Sequence, residues 1–287
     1  MVEKPGLTLL ARPSETWSAE GPLASRVLAI AERLVNRRHA LPPARLTVLH
    51  APPEHVGLGV GTQLGLGVAR LLTTLAGDRD LSVTELAELA GRGLRSGIGV
   101  HGFAEGGLIV DGGRGSRGIP PRLARLAFPG DWHALVVLPP QPVGLHGPRE
   151  IQAFADLPPS SDRLTDRLCR IVLLGFLPAV AERDLPGFGE ALEELQALVG
   201  QGFAPAQGGA FARPELETIA GILRDEGLVG VGQSSWGPAL YGFSDADEAK
   251  RMAVRARIVE RVGLGLDATF WTRASERGAQ VAISVHA

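Results

Sequence analysis

Cysteine is nearly missing from this chain. Cys169 stands alone in 287 residues, which excludes an internal disulfide and a cysteine-ligated zinc cluster and makes a reducing cytoplasm the default setting. Its neighbours Leu168, Ile171 and Val172 predict a small buried hydrophobe on a helix, not a nucleophile. Charge of one sign is also missing: a formal net charge of −2 gives no electrostatic case for nucleic acid or an anionic membrane. The longest apolar run, Ile171 to Ala181, is too short to span a bilayer and is interrupted by Pro178. The opening residues do not read as a secretory leader. No serine-centred elbow suggests acyl transfer, and there are no internal repeats or low-complexity segments. Aromatics make up only 5%, but hydrophobic residues reach 45%, enough for the core of a two-domain globular enzyme.

Glycine is abundant, at 38 residues, and it gathers in discrete loops. The first lies in A-P-P-E-H-V-G-L-G-V-G-T-Q-L-G-L, from Ala51 to Leu66. Pro52 and Pro53 end the strand-like run Leu46–Leu49, and Gly57, Gly59 and Gly61 follow. Thr62 then stands where a helix N-cap belongs, ahead of Leu64, Val68, Leu71, Leu72 and Leu75, and Gly77 is a stop. Such a loop gathers unpaired backbone N–H groups at the positive end of a helix dipole, where a phosphate or diphosphate binds. The competing reading is a tight strand-to-helix turn with nothing bound.

The flanking chain fixes the organisation. Leu7–Ala11 reads as a strand, Leu23–Arg37 as a helix with Pro22 at its first position, and Ser82 to Glu85 as a capping box. Arg95 to Gly113 reads as a glycine-rich turn, a short strand at Leu108–Val110 and then Asp111. A division near residue 130 separates residues 1–130 from 131–287. Beyond it come a strand at Trp132–Leu138 and helices at Asp162–Leu177, Phe188–Leu198 and Pro214–Asp225. Strands at Leu228–Val231 and Ala239–Phe243 flank the loop Gly232–Pro238. A helix at Asp245–Val262 and strands at Ala268–Thr272 and Gln280–Val285 close the chain. Strand-helix-strand-strand-helix-strand order predicts an α+β sandwich with helices on one face of an antiparallel sheet.

Three stretches carry a family resemblance: H-V-G-L-G-x-G-T-Q-L, R-S-G-I-G-x-H-G-F-x-E-G-G-x-I-V-D-G-G and G-Q-S-S-W-G-P. In this order and spacing they resemble the three motifs of the GHMP kinase superfamily, and their wording is similar to the beta-ribofuranosylaminobenzene 5′-phosphate synthase group within it. The resemblance implies a GHMP-kinase-like α+β fold with a ribosomal protein S5 domain 2-like N-terminal domain and a ferredoxin-like C-terminal domain. It also implies a chain that begins at an internal methionine, lacking the family's first strand. Against the superfamily loop P-x-x-x-G-L-G-S-S-A, Pro53, Gly57, Leu58 and Gly59 match, while Val60 and Gly61 replace the two serines. Where several members carry S-G-x-D-N, Ser96-Gly97-Ile98-Gly99-Val100 puts glycine at the aspartate. Glycine cannot accept a proton, which argues against kinase chemistry.

The resemblance implies instead that 5-phosphoribosyl 1-diphosphate is joined to 4-aminobenzoate or 4-hydroxybenzoate with loss of diphosphate and carbon dioxide, an early step toward methanopterin, with Mg²⁺ and in a homodimer. Gly57, Gly59, Gly61, Thr62 and Gln63 are then the candidates for the diphosphate. Ser96 belongs to the same binding set. Gln233, Ser234 and Ser235 suit the ribose 5-phosphate or hydroxyls, and Trp236 either stacks on the benzoate ring or packs in a core. Arg95 is a bidentate partner for an anion or a surface salt bridge, and His101 moves a proton or is structural. Asp111 and Glu105 are the candidates for Mg²⁺ or for the cationic ribose, Asp111 having a turn-stabilising role as its alternative. His146 and Arg149 lie on a loop that is either part of the site or ordinary surface, and His55 orients the first glycine loop. The alternatives are an ATP-dependent small-molecule kinase and a non-catalytic phosphosugar-binding protein.

Overall fold

The computed structural model describes residues 1–115, 118–140, 152, 156–157 and 160–284. The chain divides into two compact units: Met1–Glu54 with Gly59–Ala127 and Ala274–Ala287, and His55–Leu58 with Phe128–Arg273.

In the first unit β1 (Thr8–Pro13) pairs antiparallel with β3 (Ala44–His50), and β2 (Ser18–Glu20) pairs with β3 in parallel. Ala44, Leu46 and Val48 alternate inward along β3, as a strand half-buried on one face requires. They meet α1 (Ala24–Arg37) and α2 (Val60–Leu75) through Val27, Ile30, Leu34, Leu64, Val68 and Leu72. α1 starts later than expected: Leu23 has φ 60 and cannot continue a helix, so Pro22 lies before it. The capping box forms as expected, Ser82 and Glu85 bonding each other's backbone N–H at the start of α3 (Val83–Ala90).

The sequence did not announce α4 (Ile98–Glu105). Its glycines read as a turn, yet Val100 and Phe103 are buried in the core, and that burial outweighs poor intrinsic propensity. After α4, β4 (Leu108–Asp111) pairs with β5 (Arg122–Leu126), a strand hidden among prolines. The stretch expected as a final strand is irregular up to residue 284, and Val285 lies outside the described residues. It packs in the first unit, where Ala279 N–H donates to the Phe103 carbonyl at 2.7 Å.

The second unit is built on an antiparallel sheet of β6 (His133–Val137), β7 (Val229–Gln233), β8 (Leu240–Ser244) and β9 (Thr269–Thr272), in the order β7-β8-β6-β9. That spatial order with helices at the two crossovers is the ferredoxin-like arrangement. α5 (Asp162–Ile171) runs through a π turn at Val172–Phe176 into α6 (Leu177–Glu182), and α7 (Leu185–Gln207) follows. α7 is longer than expected because its glycines serve close packing: a Cβ on Gly200 would lie 2.6 Å from the Ala210 carbonyl oxygen. α8 (Pro214–Asp225) and α9 (Glu248–Val262) place Leu216, Leu223 and Ile258 against Leu135, Val137 and Leu240. Cys169 is exposed, contrary to expectation. Leu168 and Ile171 are the more buried positions of this turn, and Cys169, about 100° round the helix from Leu168, faces water.

Tyr241, the sole tyrosine, is half-buried, and desolvation pushes its phenol above the ordinary value while Gln196 opposes the shift. An unfolded chain loses this proton near about pH 10. Its contribution to stability is therefore intact below that pH and is lost as the pH rises toward the folded value. Absorbance at 295 nm during alkaline titration is expected to rise only with unfolding; a rise near pH 10 in folded protein contradicts the burial.

Candidate functional site

The described candidate residues fall into two groups, one in each unit. In the second unit, residues 55–58 lie alongside the loop that follows β7. Ala239 N–H donates to the Val56 carbonyl at 3.1 Å, and the Ser234 hydroxyl donates to the Gly57 carbonyl at 2.7 Å. Gly57 has φ +91, and a Cβ there would lie 2.3 Å from the Ser234 carbonyl oxygen, so only glycine fits. Within the loop, Ser234 N–H donates to Ala239 O at 2.9 Å and Gly237 N–H to Ser234 O at 2.9 Å, while Ser235 takes φ 55.

Gln233 is buried and bonded at both amide atoms: its Oε1 accepts from Ala212 N–H at 2.8 Å, and its Nε2 donates to the Ser235 carbonyl at 3.0 Å. Trp236 is buried with its ring 4.6 Å from that of Phe203, centroid to centroid. These contacts make the loop rigid and hold its carbonyls and amides in fixed directions.

In the first unit the helix cap differs from expectation. Gly59, at φ 69, is the N-cap of α2, and Thr62 sits inside the first turn. Thr62 N–H bonds Gly59 O at 3.1 Å and Gln63 N–H bonds it at 3.3 Å, leaving the amides of Gly59, Val60 and Gly61 without a partner within the helix. A Cβ on Gly59 would meet nothing within 4 Å, so the backbone there is open to approach by an anion.

Gln63 Nε2 donates to the Gly99 carbonyl at 2.8 Å. A Cβ on Gly99 would press on Thr62 Cγ2 at 3.0 Å, so this position is a packing surface for α2.

Asp111 anchors that contact from below. Its Oδ2 accepts from the Ser96 hydroxyl at 2.8 Å and from Gly97 N–H at 2.7 Å, and its Oδ1 accepts from Gly113 N–H at 3.0 Å. His101 Nε2 lies 2.8 Å from the Pro120 carbonyl. A carbonyl only accepts, so Nε2 carries the proton and Nδ1 is the acceptor. Glu105 pairs with Arg122. Among the described residues no three His, Cys, Asp or Glu side chains gather as a metal site. Asp111 thus accepts from one hydroxyl and two backbone donors, and Glu105 is paired with a guanidinium. Arg95 is exposed, and His146 and Arg149 lie outside the described residues.

Two arginines escaped the sequence reading. Arg26 Nη1 pairs with Glu54 at 2.6 Å, and its Nη2 stands 3.0 Å from the place of a Cβ on Gly61. Arg92 Nε stands 3.2 Å from that of Gly65. The signal was present as Gly61-x-x-x-Gly65, two bare positions one helical turn apart.

Residues 176–259 match the family model of the GHMP kinase C-terminal domain. The chain is 35% identical to a beta-ribofuranosylphenol 5′-phosphate synthase of Methanothermobacter thermautotrophicus over 80% of this chain and 74% of that protein. With the enzyme of the same name from Archaeoglobus fulgidus it shares 32% identity, over 98% of this chain and 90% of the other. Among solved structures, L. major mevalonate kinase superposes with a TM-score of 0.67 at 18% identity, covering 94% of this chain and 86% of that one. The last likeness concerns the fold, which is that of the GHMP kinases.

Proposed function

The chain belongs to the beta-ribofuranosylphenol 5′-phosphate synthase family, and from that premise we propose that it joins 5-phosphoribosyl 1-diphosphate to 4-hydroxybenzoate. The ring carbon bearing the carboxylate forms a bond to the anomeric carbon, and diphosphate leaves with the electron pair of the bond it breaks. The ring–carboxylate bond then breaks, carbon dioxide departs, and its electrons restore the aromatic ring. The product is a ribofuranosylphenol 5′-phosphate, a methanopterin precursor. The phenol in the relatives' names favours the hydroxy acid over the amino acid.

One observation carries the reading: the Ser234–Gly57 hydrogen bond ties the second glycine-rich loop to the first. The first loop leads directly into the open amides at the start of α2, which suit a departing diphosphate. His101, with its proton on Nε2, offers Nδ1 to take the phenolic proton and so enrich the attacking ring; that proton returns to the product. Arg95 supplies positive charge on the same unit. Asp111 and Glu105 are the residues that would meet a Mg²⁺ accompanying the diphosphate, which would neutralise the charge of the leaving group. The reading carries with it a cytoplasmic setting, supported by the single cysteine, and a homodimer, which light scattering on the purified protein would test. Among the described residues no helix is long and apolar enough to cross a membrane.

The test offers purified protein 5-phosphoribosyl 1-diphosphate with each benzoate in turn. Carbon dioxide is expected from the hydroxy acid and more slowly from the amino acid. Release from neither overturns the proposal.

A further inference from the structure

Arg92 leaves α3 half-buried, and no carboxylate among the described residues pairs with it. Burial and the nearby charges of Arg26, Arg33 and Arg95 hold its guanidinium below the usual range, with only Glu54 opposing them. Positive charge around Arg92 thus exceeds the negative charge that opposes it, which favours the approach of an anion. The arginines also border a space. A cavity of about 280 Å³ opens between α1 and the end of α3, with Ile30, Leu34 and Leu89 at its apolar side and Arg33, Arg37 and Arg92 around it. Arg37 Nη1 is committed to the carbonyls of Glu88 and Leu89, each at 2.9 Å, so it shapes the wall, and Arg33 and Arg92 line the same space.

We propose that Arg92 and Arg33 form the subsite for the 5-phosphate of the sugar ligand, and that Arg26, held by Glu54 beside Gly61, serves the diphosphate at the start of α2. Three features support this. Gly61 and Gly65 lie one helical turn, about 5.4 Å, apart, a separation on the scale of a ribose ring. Their missing side chains let Arg26 and Arg92 lie directly on the helix. Finally, the loop first expected to hold the 5-phosphate brings no charge, and its Gln233 and Ser234 side chains are already bonded within the protein. The subsite rests on the synthase reading for the identity of its ligand, but its binding can be measured without turnover.

The test is calorimetric titration of the whole protein with ribose 5-phosphate, inorganic diphosphate and 4-hydroxybenzoate, comparing wild type with Arg92→Met, Arg92→Lys and Arg33→Gln. Arg92→Met keeps the apolar stem and removes the charge. It is expected to weaken ribose 5-phosphate by about tenfold or more, the loss of a charge-assisted hydrogen bond. Diphosphate is expected to change by less than about threefold, and Arg92→Lys to recover part of the loss. Arg33→Gln is expected to weaken ribose 5-phosphate in the same direction. Because a repelling charge is removed, the Tm of Arg92→Met should stay level or rise. Unchanged ribose 5-phosphate affinity overturns the subsite, as does a loss confined to 4-hydroxybenzoate. A lowered Tm with sugar phosphate binding intact does so too, by making Arg92 structural. A wild type that binds ribose 5-phosphate through Arg92 yet releases no carbon dioxide would keep the subsite and refute the synthase.

Discussion

Gly57→Ala is expected to lower turnover by about a hundredfold or more while leaving the protein folded. The physical reason is local and double. An alanine at φ +91 pays the left-handed penalty of about 1–2 kcal/mol, and its Cβ would come 2.3 Å from the Ser234 carbonyl oxygen. Backbone cannot yield as a side-chain tip does, so either Gly57 or the Ser234 loop moves. Both carry the proposed grip on the ligand, and a displacement of about 1 Å in a positioning group is enough for a hundredfold loss. Gly77→Ala, past the far end of α2, is the matched control. Its φ is also positive, at +85, but a Cβ there meets nothing within 4 Å. Its cost is expected to be about 1–2 kcal/mol of stability with a smaller kinetic effect. Steady-state rates on both variants, with thermal melting as the check on folding, decide the matter. Turnover in Gly57→Ala within threefold of wild type would mean that the joined loops do not hold the ligand.

The second large effect is expected at Asp111. Asp111→Ala removes the acceptor for three donors, the Ser96 hydroxyl and the N–H groups of Gly97 and Gly113. Gly97 is buried, so its amide is left without water to replace the carboxylate. The expected cost is about 2–4 kcal/mol in urea unfolding. Turnover should fall by about tenfold or more, because α4 begins at this anchor and Gly99 on its first turn holds Gln63. Asp111→Asn keeps an oxygen and the shape, and should recover part of the stability. A magnesium ligand would behave differently: Asp111→Asn would raise the Mg²⁺ requirement and leave unfolding unchanged. That result would make Asp111 a metal residue and not an anchor of the backbone.

The regular parts of this fold are legible in its sequence wherever local signals agree. α8 could be read to its exact ends: Pro214 opens it, Leu216, Ile219, Ala220 and Leu223 line one face, and Gly227 follows. The antiparallel sheet of the second unit follows from the order of its strands and helices, and the family resemblance implies its ferredoxin-like arrangement. Reading failed where tertiary contacts override local preference. Gly97, Gly99 and Gly102 hid α4, since each glycine within a helix costs about 1 kcal/mol that only buried Val100 and Phe103 recover. Thr62 looked like a cap because hydroxyls usually are caps, but Gly59 takes the left-handed conformation one turn earlier. The motif wording located both glycine-rich loops, yet not the roles of their side chains: Gln233 and Ser234 turn inward to brace backbone. Arg26 on α1 and Arg92 beyond the end of α3 are far apart in sequence and lie against Gly61 and Gly65 of α2, so no local pattern could pair them. The segment 55–58 belongs to the second unit and residues 274–287 to the first, exchanges that depend on which backbone groups find partners in the folded chain.

On the proposed function, the protein binds a sugar phosphate whose diphosphate departs. The most direct measurement counts diphosphate and carbon dioxide together from 5-phosphoribosyl 1-diphosphate and carboxyl-labelled 4-hydroxybenzoate, with a parallel reaction containing ATP. Equal amounts of both products, unaffected by ATP, are the expected result. Consumption of ATP without either product would contradict it and make the protein a kinase.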